Sequence, residues 1–177
     1  MYAMERLNDL FRRIDVPLTN WMAKHGVTLL RISLGVVFFW FGFLKFFPDL
    51  SPAQDLAART IETLTFGLIR ENVSLPVLAA WECLIGLGLI TGRFMRATLF
   101  LLLAQMVGTV TPLFLFPQET FTRFPYAPTL EGQYIIKNIV LVSAGLVIGA
   151  TVRGGAVIAD PKAARKAIRE QESNPAA

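Results

Sequence analysis

Three ionisable residues interrupt the longest apolar stretches of this sequence: Lys45 in FGFLKFF, Glu82 in AAWECLIG and Lys137 in QYIIKNIV. A charge in hydrocarbon is costly, so each such group needs a partner or a task. Glu82 is the hardest to explain otherwise, because its side chain is too short to reach the headgroups. Lys45 alone can snorkel. Lys137 has Asn138 beside it, and Gln105 and Thr109 offer hydrogen bonds from a further apolar stretch. One carboxylate against two ammoniums leaves a net positive charge, which suits an anion, a quinone carbonyl or a proton relay. The same residues would also serve as a buried ion pair that holds helices in register. Glu82, Lys45, Lys137, Asn138 and Gln105 are thus the candidate binding residues, with both roles open and no catalytic residue assigned.

Other chemistries are poorly supplied. There is one cysteine, Cys83, and one histidine, His25. No intramolecular disulfide or CxxC pair can form, and the usual structural zinc patterns lack their ligands. Cys83 reads as a small packing residue and His25 as a solvated one. No nucleophile, base and orienting group form a set, so the chain does not read as an enzyme acting alone. With no intrinsic cofactor, any electron carrier has to be a bound quinone or a partner's group.

The elements that must position these residues are membrane helices. The 177 residues suit one domain, and they are 54% hydrophobic with 17% charged, against about 25% charge in soluble domains. A bilayer core needs roughly 20 apolar residues per helix, and only helices satisfy their own backbone there. Four stretches qualify: 27–47, 75–90, 94–116 and 134–152. The second is the shortest, with Ser74 expected as its N-cap, Pro76 in its first turn and Thr91-Gly92 at its end. Pro112 should kink the third. A charged segment ahead of the first stretch reads as an uncleaved first span, not a signal peptide.

Arg and Lys concentrate before span one, in the hairpin at Arg93 and Arg96, and in the tail from Arg153 to Arg169. An even number of spans puts these three regions on one side, the cytoplasm of a bacterial inner membrane. The net charge of +4 is thereby explained by topology, and nucleic acid is not an expected partner. Residues 1–26 contain an interfacial helix with Leu7, Leu10, Phe11 and Ile14 on one face and Arg6, Arg12 and Arg13 on the other, anchored by Trp21. Arg31 reads as a snorkelling anchor. Ser51-Pro52-Ala53-Gln54 resembles a capping box, opening an outer helix whose apolar stripe is Ala57, Ile61, Leu64 and Leu68. It lies on the membrane or caps the bundle. The aromatic- and proline-rich loop 116–134 is an interfacial belt or a stiff lid, and residues 153–177 form a basic cytoplasmic tail that starts a helix at Asp160-Pro161. The fold class is all-α, a membrane four-helix bundle whose close approaches use Gly145 and Gly149, Ala104 and Gly108, and Ala79, Cys83, Gly86 and Gly88.

These motifs resemble those of DoxX-like membrane proteins. The first span, RISLGVVFFWFGFLKFFP, has an Arg, two glycines seven apart and Gly-x-x-Lys; WECLIGLGLITGR has the Glu, the glycine-rich run and the Gly-Arg turn. LEGQYIIKNIVLVSAG resembles the Gly-aromatic-x-x-Lys stretch of the related YkgB/RclC-type proteins, where Lys is followed by Asp; here Asn138 follows Lys137. The resemblance covers about residues 27–152. It implies a four-helix membrane protein associated with quinone-linked sulfur oxidation, membrane oxidoreductase complexes, or oxidative- and chlorine-stress defence. It also implies that Glu82, Lys45 and Lys137 are shared positions, without a role attached. The expected function is an accessory or quinone-interacting component of a membrane redox or stress-protection system. A small-solute or anion transporter and an assembly partner of another membrane protein are the alternatives. The bilayer is the expected surroundings; a membrane oxidoreductase subunit, quinone and a second copy of the chain are the candidate partners. The chain has no inverted repeat of the kind transporters use.

Overall fold

The computed structural model describes residues 2–47, 50–51 and 54–173, with backbone only for residues 2–12 and 171. Among these, four helices are long and apolar enough to span a bilayer: Arg13–Leu44, Glu71–Thr91, Met95–Leu115 and Leu130–Thr151. Only 22–39% of the residues in their most apolar stretches are covered by the rest of the protein, so the remaining faces need lipid. The architecture is an all-α membrane bundle. Two units are distinguished, Leu30–Val152 and a second one made of Met1–Leu29 with Arg153–Ala177.

Helix α1 (Tyr2–Leu44) runs unbroken through Pro17, so the segment before Val27 is part of the first helix and not a separate one. The side chains of the expected interfacial face up to Arg12 lie outside the described residues. Trp21 and His25 lie one turn apart with their rings tilted at 43° and their centroids 5.3 Å from each other. In the tail, helix α8 (Pro161–Ser173) begins at Asp160, whose carboxylate accepts the Lys162 N–H at 2.8 Å.

Within Leu30–Val152, helix α3 (Glu71–Thr91) is central. It starts earlier than the sequence boundary: Arg70, not Ser74, is the N-cap, and Ser74 is a buried helical residue. Pro76 is tolerated because the bond it forfeits would use the carbonyl of exposed Asn72 in the first turn. Gly92 ends the helix in the left-handed conformation (φ 70°), as its position after Thr91 predicts.

Three glycines let α1 lie backbone to backbone on α3, antiparallel to it. A Cβ at Gly35 would stand 2.9 Å from the Gly86 carbonyl, and one at Gly86 would stand 2.5 Å from the Phe39 nitrogen. A Cβ at Gly42 would press to 2.7 Å from the Glu82 Cβ. At the opposite end of this contact Arg31 donates to the carbonyls of Leu89 and Ile90, the latter at 3.2 Å. It ties α1 to the last turn of α3, where free carbonyls favour a cation, instead of reaching for headgroups.

Helix α4 (Met95–Val110) returns along α3. Gly88 lies against the Thr98 side chain, and the Trp81 indole N–H donates to the Leu101 carbonyl at 3.1 Å. Helix α7 (Leu130–Thr151) completes the bundle with Gly145 and Gly149 against Leu102 and Leu99 of α4. The expected pair Ala104 and Gly108 makes no such contact. Both are exposed, and a Cβ at Gly108 would meet nothing within 4 Å.

Span three breaks at Thr111, one residue before Pro112, and resumes as α5 (Pro112–Leu115). Helix α2 (Gln54–Leu64), between spans one and two, packs on α3 and α5 and so caps the bundle. Its covered residues are Leu56, Ala58 and Thr60, while Leu64 and Leu68 of the expected stripe are exposed. Pro52 and Ala53 of the expected capping box lie outside the described residues. Beyond α5, the chain forms α6 (Pro117–Thr120) and a short antiparallel hairpin, β1 (Phe121–Arg123) with β2 (Ala127–Pro128).

Candidate functional site

The close approach at Gly42 decides where the next charged residue goes. Lys45 follows three residues later, just past the end of α1, and its Nζ donates to Glu82 Oε2 at 2.6 Å. The other carboxylate oxygen, Oε1, accepts from Gln105 Nε2 of α4 at 2.7 Å. One carboxylate thus joins three helices, α1, α3 and α4. The side chains of Lys45 and Glu82 are each only 11% exposed. Lys45 Nζ has a longer second contact to the Phe41 carbonyl, 3.4 Å.

Because α3 begins at Glu71, Glu82 stands eleven residues along it, about 16 Å at 1.5 Å per residue. Gln105 is ten residues after Met95, about 15 Å. Both therefore lie near the middle of their helices.

The amide of Gln105 is half satisfied. Its nitrogen is committed to Glu82, whereas its Oε1 is buried and accepts no hydrogen bond among the described residues. Turning the amide over would not help, since Oε1 would then face a carboxylate, acceptor against acceptor. Thr109 does not fill the gap either, as its hydroxyl donates to the Gln105 backbone carbonyl at 3.0 Å.

Lys137 and Asn138 are not brought to this cluster. Lys137 is exposed on α7, with its Nζ 5.5 Å from the centre of the Tyr134 ring, and Asn138 is partly buried. The covered residues of α7 are Gly132, Ile135, Ala144, Gly145 and Ile148; Lys137 lies two turns before Ala144 on the same stripe and is nevertheless exposed. Cys83 lies next to Glu82 with its Sγ 3.8 Å from the Phe39 carbonyl, in keeping with a packing role. No group of three or more His, Cys, Asp or Glu residues that could hold a metal occurs among the described residues.

The loops at the Lys45 end of the bundle are fastened to each other. Arg59 of α2 pairs with Glu119 of α6 through two hydrogen bonds, 2.8 and 2.5 Å, and its guanidinium lies 5.3 Å from the centre of the Phe116 ring. The hydrogen bond from Arg59 holds the Glu119 carboxyl below the usual carboxylate range. Thr129 caps α7 and donates to the Glu119 carbonyl at 2.7 Å, so the α6 segment is tied on both flanks. A shallow apolar depression lies here, lined by Leu113, Phe114, Pro117, Gln118, Phe121, Thr122 and Phe124. Lys45, Glu82 and Gln105 do not line it. The aromatic residues divide: Phe121 is buried, while Phe124, Tyr126 and Tyr134 are exposed.

A sequence model of the DoxX family matches residues 26–118, just over half of the chain. The chain belongs to the DoxX family. The match takes in Arg31, the α1–α3 glycines, Lys45, Glu82 and Gln105, and it stops before the fourth span. No curated protein and no solved structure matches the chain. As a DoxX-family protein with four apolar helices, it is a multi-pass membrane protein whose surroundings are a lipid bilayer.

The contribution of Gly42 is the part of the site that residue chemistry alone does not reveal. The Gly-x-x-Lys spacing was its one visible signal. Trp81 is a second such residue: its indole N–H holds the Leu101 carbonyl one turn before Gln105.

Proposed function

We propose that this DoxX-family protein is a quinone-interacting accessory component of a membrane redox or oxidative-stress-protection system, with Lys45, Glu82 and Gln105 as the contact site. Its home would be a bacterial inner membrane, with both termini in the cytoplasm. The observation that carries the reading is the cluster inside the bundle: a Lys45–Glu82 ion pair whose third member, Gln105, has a buried oxygen without a donor among the described residues. Groups of this kind are expensive at membrane depth, and such residues commonly mark binding or proton pathways. A staple would need only the ion pair. The unfilled oxygen argues for a polar molecule that enters from lipid.

The residues fit a quinone head group. The Lys45 ammonium and the Gln105 amide each keep one N–H beyond those they already spend, while Glu82 holds both side chains in place. A bound quinone would supply redox chemistry that the chain lacks. The protein's share is to orient the head group, keep bulk water away and carry a proton on Glu82 or Lys45. Lys137, exposed beside Tyr134, is left out of the site.

Gentle purification from native membranes, followed by identification of bound lipophilic molecules and proteins, tests this. Co-purifying quinone, lost or reduced several-fold in Glu82→Gln, is the expected result. Quinone-free protein, together with a Glu82→Gln strain that withstands oxidants as the parent does, would remove the proposal.

A further inference from the structure

Donors and acceptors in the cluster are not evenly left over. The Lys45 ammonium spends one N–H on Glu82 and directs another towards the Phe41 carbonyl, so one remains. Gln105 Nε2 spends one of its two on Glu82. These spare protons belong to atoms that already have partners. The one buried side-chain atom here with no partner at all is an acceptor, Gln105 Oε1. An oxygen left bare in this way keeps the full desolvation cost of a buried acceptor.

We infer that the cluster selects a hydroxyl group, and so binds reduced quinol in preference to oxidised quinone. This rests on the reading of the site as a quinone contact and adds to it the redox form that is recognised. An oxidised quinone presents only carbonyl oxygens. It can accept the remaining Lys45 N–H, but it leaves Gln105 Oε1 bare and brings a further acceptor towards it. A quinol supplies the missing donor as well as an acceptor: a hydroxyl hydrogen for Gln105 Oε1 and a hydroxyl oxygen for Lys45. The approach is along the edge where Lys45 and Glu82 are still 11% exposed. Selectivity of this type follows from groups already in the pocket, since a site with a buried polar atom penalises the ligand that fails to pair with it.

The test uses the full chain in lipid nanodiscs, titrated anaerobically with a short-tailed benzoquinone and with its reduced quinol, by calorimetry. The quinol is expected to bind about tenfold tighter or more, the range set by relieving one buried unsatisfied acceptor. Gln105→Met should erase most of that ratio while the melting temperature and helical signal report whether the variant folds. Should it not fold, the wild-type ratio decides by itself. Equal affinities, or tighter binding of the quinone, would overturn the inference and leave the quinone contact standing. Binding of neither form would overturn both.

Discussion

Lys45 and Glu82 lie 2.6 Å apart with little of either side chain exposed, so each is the other's main relief from a low dielectric. Removing one partner of such a pair costs about 3–5 kcal/mol, whereas replacing both by apolar groups is often close to neutral. Lys45→Met should therefore lower the unfolding free energy by about 3 kcal/mol or more, and Lys45→Met with Glu82→Leu should recover most of it. Denaturant unfolding in detergent micelles measures the cycle. Additive losses would show that the two residues are not coupled. The identity of Glu82 and Gln105 as the unusual residues is legible in the sequence, because polar groups stand out in apolar runs. Which lysine meets Glu82 is not legible, since both sit near span ends. The choice is made by Gly42, whose missing Cβ admits the Glu82 side chain, while Lys137 stays exposed on α7 beside Tyr134.

That four apolar helices are long enough to span is legible in the sequence, because bilayer thickness sets their length. Their starts were less so. Helix α3 gains its first turn from polar Glu71 and Asn72, which no hydropathy boundary includes. The covered face of α2 was misjudged for a related reason: its neighbours are α3 and α5, and a helix caught between two elements buries Leu56, Ala58 and Thr60 instead of one simple stripe. The Arg59–Glu119 contact joins two loops 60 residues apart in sequence and had no signature at all. It carries a signed pH dependence. Glu119 is held below the ordinary carboxylate range by Arg59, so the stabilisation is present at neutral pH and is lost as pH falls through that lowered value. Both side chains are nearly half exposed, and the effect is modest and weakened by salt. Hydrogen exchange of the α2 amides should speed up on acidification in the wild type. In Glu119→Gln it should already be faster at neutral pH, with no acid step. An acid step that persists in Glu119→Gln would assign it to another group.

For the whole molecule, the count of spans and the helical class follow from one physical demand, that lipid cannot bond to open backbone. The proposed direction across the membrane rests on Arg and Lys placement, and it is open to a direct check. In a Cys83→Ala background, Phe66→Cys and Tyr126→Cys should react with an impermeant maleimide in intact cells. Ile168→Cys should react only after permeabilisation; the reverse pattern would invert the proposed orientation. All three positions are exposed on the protein itself. The pairing of Lys45 with Glu82 also bears on how the chain is made. A ribosome delivers Lys45 37 residues ahead of Glu82, and Gln105 23 residues after it. The acid therefore reaches the translocon with its counter-charge already synthesised, and the amide follows. During biogenesis the carboxylate never has to be the first charge admitted to the bilayer.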